Sequence, residues 1–115
     1  MKTFRILALV ITLTMAASCT TQLPLYTWDN YEAKSYEYLK NSDEASTQSL
    51  IEAYEKIIKT QKGSRGVVPP GIYADYGFLL LQANKTTEGQ QMLAKEVELY
   101  PESKVFIDRI LQLMQ

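Results

Sequence analysis

The chain has 115 residues, room for one domain, with 12 basic residues against 13 acidic. So even a balance, with no basic stripe, argues against nucleic acid as a partner. Histidine is absent and there is one cysteine, which excludes Ser–His–Asp and Cys–His catalysis, zinc sites of the ordinary kind and any intrachain disulfide.

Residues 1–18 read as a lipoprotein signal peptide. Lys2 and Arg5 form its basic end, "ILALVITLTMAA" its apolar core, and small residues lead to Ser18. About a dozen apolar residues are too few to cross a bilayer core of roughly 30 Å as a helix. Removing the leader takes away Lys2 and Arg5 and leaves 10 basic against 13 acidic residues, which suits an aqueous compartment.

The cut falls before Cys19. "AASC" resembles the bacterial lipobox, with Ala16 where Leu is more frequent. That resemblance implies acylation of the thiol and of the new N-terminus. Each buried methylene contributes roughly 0.8 kcal/mol, so several chains hold a protein on a membrane almost permanently. Thr20 follows in place of the Asp that retains Gram-negative lipoproteins at the inner membrane. The expected location is therefore the outer membrane of a Gram-negative bacterium, facing the periplasm.

Residues 19–27 are expected to be a lipidated tether, with Pro24 opposing a helix start. From Trp28 to Gln115 the spacing predicts a helical domain. The first helix covers Trp28 to Lys40, with Trp28, Tyr31, Ser35, Tyr38 and Leu39 on one face. Ser42 or Asp43 can cap a second helix from Glu44 to Lys62. Its stripe is Leu50, Ile51, Tyr54, Ile57 and Ile58, and Gly63 can close it.

"KGSRGVVPPG" is the one long connection. Beyond it a third helix, Pro70 to Ala83, is apolar nearly all round and is expected in the middle of the domain. "NKTTEG" predicts a turn with Thr86 or Thr87 as cap to a fourth helix carrying Met92, Leu93, Val97 and Tyr100. Pro101 breaks that helix, and Ser103 can cap a fifth, "KVFIDRILQLMQ". No strand-like alternation is sustained, so the fold class is all-α.

Pro70 to Ser103 has the length of a tetratricopeptide repeat and resembles it in register. Tyr73, Tyr76, Gly77, Leu80, Gly89, Leu93 and Pro101 take the motif's characteristic places. Glu96 stands where Ala is usual, a departure that bears on how tightly the next helix packs. Tyr31, Ser35, Tyr38 and Ile51 precede Tyr73, Gly77, Leu80 and Leu93 by a constant 42 residues, which suggests a second, decayed copy. The resemblance implies about two antiparallel hairpins with the fifth helix as a terminal cap.

"W-x-x-Y", "PPGIYADYGFLLL" and "YPESKVFIDRIL" also resemble a family of small bacterial lipoproteins known as domain of unknown function 4810. Its members are typically encoded beside a lipoprotein like the curli secretion channel. This implies an accessory subunit of an outer-membrane assembly, with no known activity.

The carboxylate pairs Asp29 and Glu32, Asp43 and Glu44, and Glu96 and Glu98 fall at helix starts or on helix faces. Solvated charge accounts for them, and no enzyme, cofactor or metal is expected. Trp28, Tyr31 and Tyr38 belong on the core face, with Tyr36 off it. Trp28 and Tyr36, with Leu111 and Leu113 of the crowded apolar last helix, are the candidate partner-binding residues. The expected role is a non-catalytic adaptor or accessory subunit of an envelope assembly, binding other envelope lipoproteins or outer-membrane proteins. The alternative is a periplasmic peptide- or cell-wall-binding module.

Overall fold

The computed structural model describes residues 1–8 and 20–114. Cys19 lies outside the described residues, as does most of the apolar leader. Residues 2–8 are helical. The domain consists of α1 (Tyr31–Asn41), α2 (Glu44–Lys59), α3 (Ile72–Gln82), α4 (Thr86–Leu99), a 3₁₀ turn (Pro101–Ser103) and α5 (Lys104–Leu113). No strand occurs among the described residues. The fold is all-helical: hairpin α1–α2, hairpin α3–α4, then α5 laid against the second hairpin. The second helices of the two hairpins, α2 and α4, begin at Glu44 and Thr86, 42 residues apart.

Asp43 is the cap of α2. Its Oδ1 accepts the Ser46 N–H at 2.7 Å, and its own N–H donates to Ser46 Oγ at 3.2 Å. This reciprocal pairing satisfies two otherwise orphaned donors, and the Ser46 bonds hold the Asp43 carboxyl below its ordinary range. Ser42 instead terminates α1, in the left-handed conformation (φ 50°), with its N–H on Tyr38 O.

Two helix ends differ from the spacing. The first helix starts at Tyr31 rather than Trp28, because Asp29 takes φ 46° and breaks the run. Trp28 therefore precedes the helix and is 43 % exposed rather than part of a core face. The second helix stops at Lys59, short of Lys62, because the tether lies across the segment that follows it. Lys62 N–H donates to Thr27 Oγ1 (2.8 Å), Ser64 N–H to Pro24 O (2.9 Å) and Arg65 N–H to Leu25 O (3.1 Å). Gly63 does not close the helix. A Cβ there would sit 2.6 Å from Tyr26 Cα, so glycine is what lets the tether pass.

α3 begins after the Pro69–Gly71 turn, in which Gly71 adopts φ 94°. Its buried residues, Ile72, Tyr73, Ala74, Gly77, Leu79, Leu80 and Leu81, take up most of its circumference and leave one exposed face, Asp75, Phe78 and Gln82; it is the central element. One apolar cluster joins α2 to α3 through Leu50, Tyr54, Ile57, Ile72 and Leu79. The other joins α3, α4 and α5 through Ala74, Leu81, Leu93 and Ile107. α3 and α4 cross at their glycines. A Cβ on Gly77 would lie 2.9 Å from Gly89 O, and one on Gly89 would lie 2.8 Å from Gly77 O. Only two glycines permit that approach.

Neither Thr86 nor Thr87 caps α4; Thr86 is its first residue, and no side chain bonds to its N-terminus. Ser103 stands before α5 but does not cap it either. Its hydroxyl donates to Glu96 Oε1 at 3.4 Å. Glu96, in the place the repeat usually gives to Ala, is 1 % exposed and joins elements instead of loosening them. The same Oε1 accepts the Gly71 N–H at 2.8 Å, a donor left free ahead of α3. Tyr100 adds a further tie, its hydroxyl donating to Val68 O at 2.6 Å.

Candidate functional site

A groove of about 360 Å³ runs between α1 and α3, with α2 as its floor. Residues three or four apart on a helix share a face. On α1 that spacing presents Tyr31, Ser35, Tyr38 and Leu39. On α3 it presents Asp75, Phe78, Leu79 and Gln82, and α2 supplies Leu50 and Tyr54. The first helix of each hairpin thus forms one wall.

Tyr31 and Asp75 close one side of the groove. The Tyr31 hydroxyl donates to Asp75 Oδ2 at 2.6 Å, across 44 residues of sequence. Burial, and then this bond to a carboxylate, push the Tyr31 phenol up to about 12. Burial and the Asp75 charge raise Tyr54 as well. A row of rings passes through the site: Tyr26–Trp28 (6.4 Å between centroids), Trp28–Tyr31 (6.0 Å), Tyr31–Tyr54 (5.7 Å) and Tyr54–Tyr76 (5.3 Å, stacked). Such contacts stabilise by about 0.5–1.5 kcal/mol each beyond their area. Tyr76 ends the row with its hydroxyl on Glu55 Oε1 at 3.3 Å.

Among the described residues Asp75 is the one charged residue of the groove lining. The ion pairs among the described residues are Lys34–Glu37, Lys56–Asp29, Lys59–Glu55 and Lys104–Asp108, none of which involves it. Two further cations lie over rings, Arg65 over Tyr26 at 5.7 Å and Lys95 over Tyr73 at 5.5 Å.

The candidate partner-binding residues are not brought together. Trp28 stands at the edge of the groove through its contact with Tyr31. Tyr36 is 68 % exposed and does not line the groove. Leu111 is half-buried against the second cluster and borders a shallow hollow between α4 and α5. Leu113 is 82 % exposed, on a helix that also exposes Val105 and Phe106. The sequence reading names neither Asp75 nor Gln82 as a groove residue and takes Tyr54 and Phe78 only as apolar helix positions. One signal was available, since Asp75 is the single charge in the apolar run "IYADYGFLLLQ".

Among the described residues no group of three or more His, Cys, Asp or Glu is arranged to hold a metal ion. No helix among them is long and apolar enough to cross a membrane. Comparison with curated proteins and with solved structures yields no match. A family profile does match, over residues 25–110, from the tether's end to the middle of α5. The chain belongs to the family described as a domain of unknown function, DUF4810.

Proposed function

We propose that the protein is a lipid-anchored adaptor, an accessory subunit of an outer-membrane assembly, that holds a partner protein in the α1–α3 groove without catalysing a reaction. The observation that carries this reading is the groove itself: an open, aromatic-lined channel between the first helices of two stacked hairpins. Aromatic side chains with a polar tip are favoured at partner surfaces, because they bury much area at little cost in side-chain freedom. The exposed apolar edge of α5 around Val105, Phe106 and Leu113 offers a second contact.

The "AASC" motif supports the anchor. Acylation at Cys19 confines the domain to two dimensions and raises its effective concentration near membrane partners. With the lipid in place, a tether this short, bonded to Lys62, Ser64 and Arg65, would leave little free chain between the domain and the bilayer. Labelled palmitate entering the wild type and not Cys19→Ser supports the anchor; equal labelling of both refutes it. Native-envelope cross-linking separates the adaptor from a wall-binding module. An adaptor is trapped on a protein, whereas a wall binder sediments with sacculi.

A further inference from the structure

We infer that the α1–α3 groove receives a basic side chain, arginine foremost, presented by an otherwise apolar segment of the partner. This rests on the reading of the groove as a partner surface and adds the partner's chemistry. The argument is charge complementarity. Asp75 is the one charged group of the lining. The one hydrogen bond to its carboxylate among the described residues comes from the neutral Tyr31 hydroxyl, on Oδ2, and no described lysine or arginine forms an ion pair with it. Lys56, Lys59 and Arg65 have other partners, Asp29, Glu55 and the Tyr26 ring.

Tyr31, Tyr38, Tyr54 and Phe78 line the same groove as this carboxylate. Aromatic faces carry negative potential and attract cations, guanidinium most often. A planar guanidinium can stack on a ring while donating to a carboxylate oxygen, which an ammonium does less well. Leu39, Leu50 and Leu79 leave apolar wall on either side, suited to the methylene stem and to apolar neighbours.

The test uses the full lipidated protein in detergent micelles and two probes, the peptide acetyl-Ser-Leu-Arg-Leu-Ser-amide and its analogue with neutral citrulline for arginine. Binding is followed by NMR shifts of the α1 and α3 amides and of the Trp28 indole. The arginine peptide is expected to bind about tenfold more tightly, and D75N to erase that preference while circular dichroism stays unchanged. Equal affinity for the two peptides, a preference that survives D75N, or binding of neither peptide overturns the inference. A photo-cross-linker at Leu39, tested in the native envelope, distinguishes the two readings. Protein adducts without an arginine preference sink only the charge inference, whereas the preference without adducts sinks the adaptor and leaves the ligand chemistry standing.

Discussion

The Tyr31 hydroxyl and the Asp75 carboxylate meet at 2.6 Å and join the first helix of one hairpin to the first helix of the next. The bond ties the two walls of the groove together at one side. Tyr31→Phe keeps the ring contacts with Trp28 and Tyr54 and removes only this bond. Hydrogen bonds to a charged group contribute about 1.5–3 kcal/mol, less at a solvent-exposed site. The expected loss is about 1 kcal/mol, a fall in Tm of roughly 4–8 °C for a domain of this size. Calorimetry showing an unchanged Tm contradicts this.

Alkali should unfold the domain early. Tyr31 and Tyr100 titrate near 12 in the folded state, in both cases chiefly through burial, against about 10 in an unfolded chain. Between those values the native state holds protons that the unfolded state has released. Stability is therefore fully present below about pH 10 and falls as pH rises toward 12. Stability measured in urea at pH 9, 10 and 11 should decline over that range. Tyr100→Phe should make the decline shallower, though it also loses the bond to Val68 O.

The crossing of α3 and α4 tolerates no added carbon. In an open helix Gly→Ala is stabilising by about 0.5–1 kcal/mol. At Gly77 or Gly89 the new Cβ would lie within 2.9 Å of the facing backbone oxygen, and backbone cannot swing aside as a side-chain tip can. Overpacking of this kind costs about 1–3 kcal/mol, so both substitutions should be net destabilising in urea titrations. A neutral or stabilising Gly89→Ala would refute the close crossing.

Glu96 and its partners give a graded prediction. Glu96→Gln keeps an oxygen for the Gly71 N–H and should cost little. Glu96→Ala orphans that donor and leaves a void at a site 1 % exposed, for an expected loss of about 2–4 kcal/mol. A loss in Glu96→Gln as large as that in Glu96→Ala would contradict this, since the amide keeps both the volume and an oxygen for the Gly71 N–H.

What the sequence made legible follows local rules. Apolar spacing located the five α-helices described between residues 31 and 113. The repeat register singled out Gly77 and Gly89, because close helix crossing leaves a recurring small-residue signature. Asp43 was readable as a cap because capping is decided within three residues. Long-range contacts were not readable. α2 stops early because tether residues 24–27 take the hydrogen bonds of residues 62–65, and nothing near Lys59 announces this. Glu96 looked like a flaw in the repeat because its partners, Gly71 and Ser103, lie outside its own helix. The aromatic set of the first helix suggested a groove, and Tyr31 and Tyr38 do line one; its α3 wall escaped notice, since Tyr31 and Asp75 are distant in sequence and only hairpin stacking brings them together.

The most direct measurement is co-purification of the intact lipidated protein from native envelopes, comparing the wild type with Leu39→Glu in the groove and Tyr36→Glu outside it. Both side chains are largely exposed, so neither change should disturb folding. The account predicts a discrete partner protein retained by the wild type and by Tyr36→Glu and lost from Leu39→Glu. Retention of the same partner by Leu39→Glu would contradict it.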